Sequence, residues 1–222
     1  MKLNRGEVLG LMLILAAVLI SVVLYPRLPE TLPSHWNLSG QPDGFVHKPF
    51  GPFLGPTLMA GVLLLFVALP AISPRGFQFE TFRPVWAVLE GSVLGLLFLI
   101  HALALMQGMG KPVDVNRGVA AGVGILLVVL GNFMGKVTRN FFVGIRTPWT
   151  LASEEVWLRT HRFGGRLFVL AGVVLLVSAF LGGGWVVAAI AIGSATILSV
   201  VYSYVVYRRV EGFKESAPPS AS

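Results

Sequence analysis

Six apolar stretches, Val8 to Leu24, Phe53 to Ile72, Val85 to Met106, Val119 to Phe133, Leu167 to Leu181 and Trp185 to Tyr207, divide this chain. As helices rising ~1.5 Å per residue they are of the length needed to traverse a hydrocarbon layer of roughly 30 Å, the fourth and fifth being the shortest. With 55% of its 222 residues hydrophobic and only 12% charged, the chain does not describe a water-soluble core. The expected fold is all-α: a polytopic bundle of six transmembrane helices. The first stretch follows Lys2 and Arg5 as a signal peptide would, yet Leu24-Tyr25-Pro26-Arg27 offers no small-x-small cleavage site, so it reads as a retained helix.

The basic residues sort by side. With the N-terminus inside, Lys2, Arg5, Arg75, Arg83, Lys136, Arg139, Arg146, Arg159, Arg162, Arg166, Arg208, Arg209 and Lys214 fall on the inner surface, against Arg27, Lys48, Lys111 and Arg117 outside. That bias reads as N-in and C-in. It also accounts for the net charge of +7 without a nucleic-acid partner. Complete absence of Cys excludes disulfides and thiolate chemistry, so any metal would have to use His and carboxylate. Four parts follow: an N-terminal two-helix unit over 1–75, central helices over 76–130, a polar-loop and hairpin unit over 131–210, and a Pro-rich disordered tail over 211–222. Gly182-Gly183-Gly184 makes a tight outer turn between the last two helices. Gly91 with Gly95, and Gly118 with Gly122, have the i,i+4 spacing that permits close helix contacts.

Three regions are polar enough to carry specific chemistry. In the outer loop, Pro26, Pro29 and Pro33 favour extended backbone, and Gln41-Pro42-Asp43-Gly44 has turn chemistry. The loop is expected to be non-helical and semi-rigid, presenting His35, Asn37 and Asp43 as binding groups with Trp36 at headgroup level. In the third span, Glu90 and His101 are the ionisable side chains well inside the apolar stretch. Such groups face a bundle interior or cavity. Eleven residues put them on one face but roughly 16 Å apart, too far to share an ion. His101 lies toward the outer loop, where His35, His47 and Asp43 complete a conceivable zinc set of imidazole and carboxylate. The alternative is that His101 bonds a neighbouring helix and the loop histidines are solvated.

The third region is the inner loop from Gly135 to Gly165, long and rich in aromatics. Its first half is punctuated by Asn140, Gly144 and Pro148, with Phe141-Phe142-Val143 at the membrane interface. Its second half reads as a short helix capped by Thr150 or Ser153, with Glu155 and Arg159 as an i,i+4 pair. Glu154, Trp157 and His161 share one side of it, either as a binding epitope or as an interfacial face whose arginines meet lipid headgroups and whose Trp sets depth.

Gly131-Asn132-Phe133-Met134-Gly135-Lys136, Asn140 to Leu151 with its Gly-Ile-Arg-Thr-Pro-Trp-Thr string, and Glu155 to Arg162 resemble the C-terminal signature of the SdpI-type bacteriocin immunity proteins. Tyr25-Pro26, Leu28-Pro29 and Pro33-Ser34-His35-Trp36-Asn37, with Gly40, Asp43 and Gly44, resemble the uncharacterised domain that often precedes it. The resemblance implies a multi-pass protein of the bacterial cytoplasmic membrane that protects against a secreted toxic peptide and, in the founding system, also signals by holding a transcriptional repressor at the membrane. It implies a toxin-facing surface at His35, Trp36, Asn37 and Asp43. A repressor-facing or structural surface is implied at Asn132, Lys136, Asn140, Arg146, Thr147, Pro148, Trp149, Glu155, Trp157 and His161.

Two other classes compete. An intramembrane metal-dependent peptidase would use His35, His47, His101 and Glu90 or Asp43, although no protease spacing occurs. An ion-coupled transporter would want broken helices or a charge relay near the midplane, where the sequence supplies only Glu90 and Pro70.

Overall fold

The computed structural model describes residues 3–72, 80–182 and 185–212. Expectations placed on Lys2, Arg75, Lys214, Gly183, Gly184 and the tail from 213 onward concern residues outside these. Six helices are long and apolar enough to cross a membrane: α1 (Arg5–Leu24), α2 (Leu54–Ala71), α3 (Arg83–Gly108), α4 (Val115–Met134), α6 (Glu154–Leu181) and α7 (Trp185–Val210). A five-residue helix, α5 (Pro148–Ala152), precedes α6. Large apolar side chains such as Leu15, Leu19, Val23, Leu64 and Phe180 stand outward on these helices, more than half exposed. With no hydrocarbon such faces would be untenable, and the chain is a multi-pass membrane protein.

Local chemistry sets the helix ends. Asn4 caps α1 through a capping box with Glu7, Asp114 caps α4 by accepting from the Arg117 N–H, and Ser153 caps α6 by accepting from Val156. At its far end α6 stops on Gly182 in the left-handed region, φ 78°.

The sequence reading needs two corrections. The expected short helix after Ser153 and the fifth span are one continuous helix of 28 residues, α6. The Gly164-Gly165 pair that looks like a break faces other helices closely: a Cβ on Gly165 would stand 2.5 Å from the Gly131 carbonyl oxygen, and one on Gly164 would stand 2.9 Å from Ser199 Oγ. The loop after α1 is not merely extended. It pairs β1 (Thr31–Trp36) with β2 (Pro42–His47) as an antiparallel hairpin, Leu32 opposite Val46 and Pro33 opposite Phe45. A lone two-stranded hairpin is marginal in water. Here it is seated on the bundle by buried Leu28 and Leu32 against Leu105 of α3.

In the bundle, α3 packs against α1, α2, α4 and the hairpin. α4, α6 and α7 form the other side, around Leu127, Ala171, Leu175, Ala188 and Ala195. α4 and α6 meet backbone to backbone. Gly131 opposes Gly165, and Gly124 opposes Gly172, where an added Cβ would stand 2.9 Å from the Gly172 carbonyl oxygen. Both pairs are seven residues apart, so this seam recurs every two turns. The glycines singled out by i,i+4 spacing do other work: Gly91 faces Leu9, Gly118 faces Leu103, Gly122 faces Leu96 and Leu99, and nothing lies within 4 Å of a Cβ on Gly95.

Candidate functional site

Residues 135–147, between α4 and α5, are neither helix nor strand, so their buried backbone groups need other partners. Asn140, fully buried, supplies them. Its Nδ2 donates to the Thr138 and Val143 carbonyls at 2.9 and 3.0 Å, and its Oδ1 accepts from the Phe142 and Val143 N–H groups at 2.8 and 2.7 Å. Thr147 and Thr150 form a reciprocal capping box on α5, and Thr147 Oγ1 reaches Ser203 Oγ of α7 at 3.0 Å. Thr150 Oγ1 donates to the Ile145 carbonyl at 2.8 Å. Arg139 and Arg146 donate to the Leu151 and Phe141 carbonyls. Trp149 meets Tyr204 of α7 with ring centroids 5.0 Å apart.

Trp157 and His161, one turn apart on α6, are both fully buried and stacked, centroids 3.9 Å apart. The Trp157 indole N–H donates to the Val137 carbonyl at 2.8 Å. His161 Nε2 accepts from the Ile145 N–H at 3.0 Å, which requires the hydrogen to sit on Nδ1, 2.8 Å from the Trp157 carbonyl oxygen. Gly144, at φ 116°, lets the loop pass over this ring: a Cβ there would stand 2.2 Å from Nε2. Trp157 therefore sets no depth in the interface, and neither it nor His161 is an exposed epitope, because α6 turns that side onto the loop. Asn132, Lys136, Arg146, Pro148 and Glu155 remain exposed at this end, Glu155 paired with Arg159 at 2.5 Å.

At the opposite end, the hairpin brings His35 and Asp43 together, Nδ1 to Oδ1 at 2.5 Å. Asn37 is spent on the turn, its Oδ1 accepting from the Ser39 and Gln41 N–H groups. Trp36 is half-buried and donates its indole N–H to Gln107 Oε1 near the end of α3. Asn116 of α4 adds a bond to the Leu38 carbonyl at 3.1 Å. The face left outward carries His35, Asp43, Phe45 and His47. Phe45 escaped the sequence reading, although its signal, period-two alternation with Asp43 and His47, is there.

Inside the bundle, Ser21 Oγ donates to the Pro52 carbonyl at 2.6 Å and lies 3.1 Å from His101 Nε2. With the Ser21 hydrogen directed at Pro52, Nε2 must be the donor to Oγ, so this pair is a buried tie between α1, α3 and the start of α2 and not a base beside a nucleophile. Glu90 is buried at the other end of α3, and both its carboxylate oxygens lack a hydrogen-bond partner among the described residues. The set of His35, His47, His101 and Asp43 is not assembled: His101 is turned into the bundle, and among the described residues no three His, Asp or Glu side chains converge.

The knot around Asn140 and the hairpin match separate family models. Residues 136–203 match the SdpI/YfhL protein family, and residues 12–60 match a domain of unknown function. The chain is 28% identical over 210 residues to the immunity protein SdpI of Bacillus subtilis strain 168, covering 94% of this chain and 99% of that one. It is also 39% identical over 46 residues, 21% of this chain and 50% of the other, to the uncharacterized membrane protein YbgB of the same organism. No solved structure matches. With the motif residues locked into one knot and the likeness to that immunity protein running nearly end to end, this six-helix chain is similar to the SdpI/YfhL protein family over residues 136–203.

Proposed function

We propose that this protein is a membrane immunity protein, protecting its cell against a secreted antimicrobial peptide. The observation that carries the reading is the likeness to an immunity protein over 94% of the chain, which includes hairpin, bundle and knot alike. The proposed orientation is N-in and C-in, which puts the hairpin outside and the knot inside. The toxin-facing surface is the outward hairpin face of His35, Asp43, Phe45 and His47, with Trp36 and Asn37 holding it in shape. A preorganised aromatic face seated on a bundle loses little entropy on capturing an amphipathic peptide. The test is survival: expressed in B. subtilis cells that lack their own immunity protein and are grown beside toxin-secreting cells, the wild-type chain restores growth and the double variant Phe45→Ala, His47→Ala restores much less. Full protection by that variant, at equal membrane abundance, would move the toxin contact off the hairpin.

The finer reading adds signalling. In it, the exposed rim of Arg146, Pro148, Glu155 and Arg159 holds a cytoplasmic repressor when toxin is bound outside. The interlocked glycine seam favours α4 and α6 moving as one body, so the differential affinity that a signal requires would act through α3, which touches the hairpin at Gln107 and the knot through Trp86. Cross-linking between Cys residues placed at 45 and 146 and their surroundings, with and without toxin, tests this; identical patterns in both states would end it.

A further inference from the structure

The glycine seam between α4 and α6 opens at the knot end into a pocket of about 360 Å³. That is within the roughly 300–1,000 Å³ of small-molecule sites. Its floor is backbone, because Gly131, Gly135 and Gly165 have no side chain to fill it, and its walls are Asn132 in the last turn of α4 and Arg162 and Arg166 on α6. All three wall residues are exposed. An added Cβ on Gly135 would stand 3.3 Å from Arg162 Cγ, so the stem of that arginine lies across the floor. No Asp or Glu lines the pocket. Among the described residues neither arginine takes part in an ion pair or hydrogen bond, whereas Arg159, one turn earlier, is held by Glu155 at 2.5 Å. Glu154 stands eight residues before Arg162, roughly 12 Å along the helix, and Glu30, Asp43 and Asp114 are paired at the hairpin end. Two like charges four residues apart on a helix repel each other, and no described acid relieves this pair.

Two guanidinium groups and an amide around a backbone floor offer donors from more than one direction. A carboxylate is satisfied by a single planar fork, while the tetrahedral oxygens of a phosphate accept from several. We propose that this pocket is a binding site for a phosphate group, held by Arg162 and Arg166 with the Asn132 amide as a further donor. The bound anion also relieves the repulsion between the two arginines. Two sources carry that chemistry. The pocket stands at the last turn of α4, the level of phospholipid headgroups, and Val169 with exposed Val173 continues the same side of α6 toward the middle of the span, a path for an acyl chain. A soluble phosphate compound would use the polar donors alone.

Two readouts on the full chain separate the sources. Native mass spectrometry after release from nanodiscs of equal phosphatidylglycerol and phosphatidylcholine shows phosphatidylglycerol retained in preference if the phosphate is a lipid's, because the choline cation is repelled by the same arginines. In lipid-free detergent, inorganic phosphate raises the thermal midpoint above that in chloride of equal ionic strength if the source is soluble. Either response supports the site and identifies its source, and absence of both overturns it. Arg162→Gln with Arg166→Gln weakens whichever binding the wild type shows, by about tenfold for each arginine removed. Arg208→Gln with Arg209→Gln removes equal charge from the exposed last turn of α7 and leaves that binding unchanged. Gly135→Leu, which keeps both arginines but fills the pocket, weakens it as well. Unchanged binding in the Arg162, Arg166 variant, an equal loss in the Arg208, Arg209 variant, or undiminished binding in Gly135→Leu would each overturn the assignment.

Discussion

Asn140 shows why the polar string in this chain is what it is. An irregular segment folded against the bundle has backbone groups with no helix or strand partner, and one amide side chain with two donors and two acceptor lone pairs answers four of them. Asn140→Asp keeps the size and the acceptor but loses the donors to Thr138 and Val143, leaving two carbonyls unpaired beside a buried acid. The expected cost is on the order of 1–3 kcal/mol for each group stranded, read as a lowered thermal midpoint in detergent. His161 carries a different signature. Because the Ile145 N–H points at Nε2, the imidazole should show the Nδ1–H tautomer by nitrogen NMR of the labelled protein; an Nε2–H pattern would mean the loop does not close over the ring. Gly144→Ala attacks the same closure by adding a methyl group 2.2 Å from Nε2 at a φ of 116°, and should destabilise while leaving membrane insertion intact. None of these partnerships is visible as spacing. The residue types at 140, 144, 157 and 161 were legible as special, but their purpose, internal bonding and not display, depended on α6 turning that side inward.

At the scale of the element, the seam between α4 and α6 is the feature that governs packing. Without a hydrophobic drive between helices in lipid, association draws on van der Waals packing and interhelical hydrogen bonds, and small residues, glycine above all, let backbones approach closely. Gly131→Val places a branched side chain against a carbonyl oxygen 2.5 Å away, with an expected loss of about 1–3 kcal/mol from overpacking. Gly95→Val, with nothing within 4 Å, is the matched control and should change the thermal midpoint far less. Equal shifts in the two variants would show that the seam is not the close contact described. The start of α6 is a second such point: Ser153→Ala removes the cap at Val156 and should cost about 0.5–2 kcal/mol. Of the two caps the sequence offered, Thr150 and Ser153, the second opens α6; its i,i+4 glycines Gly91, Gly118 and Gly122 do meet neighbouring helices closely, whereas the α4–α6 seam stayed out of sight because spacing within one helix does not say which helix lies opposite.

For the whole molecule, the absence of Cys makes the proposed orientation directly testable. His47→Cys and Arg146→Cys, each introduced alone, should differ toward a membrane-impermeant maleimide on intact cells, with position 47 labelled and position 146 protected until the cells are opened. The reverse pattern would turn the bundle over and place the knot outside. The sequence by itself determined the class of this protein, the number of its spans and the two segments that carry its family likeness, because hydrophobic run length and motif strings are properties of consecutive residues. What only the tertiary structure decided is which polar residues face out and which face in. Trp157 and His161 are enclosed, Asn37 is used up in its turn, His101 is tied to Ser21 eighty residues away, and Phe45 is presented. Apart from Asn37, whose partners lie two and four residues on, each of these is fixed by partners distant along the chain, and a side chain's neighbours exist only once the helices have chosen theirs.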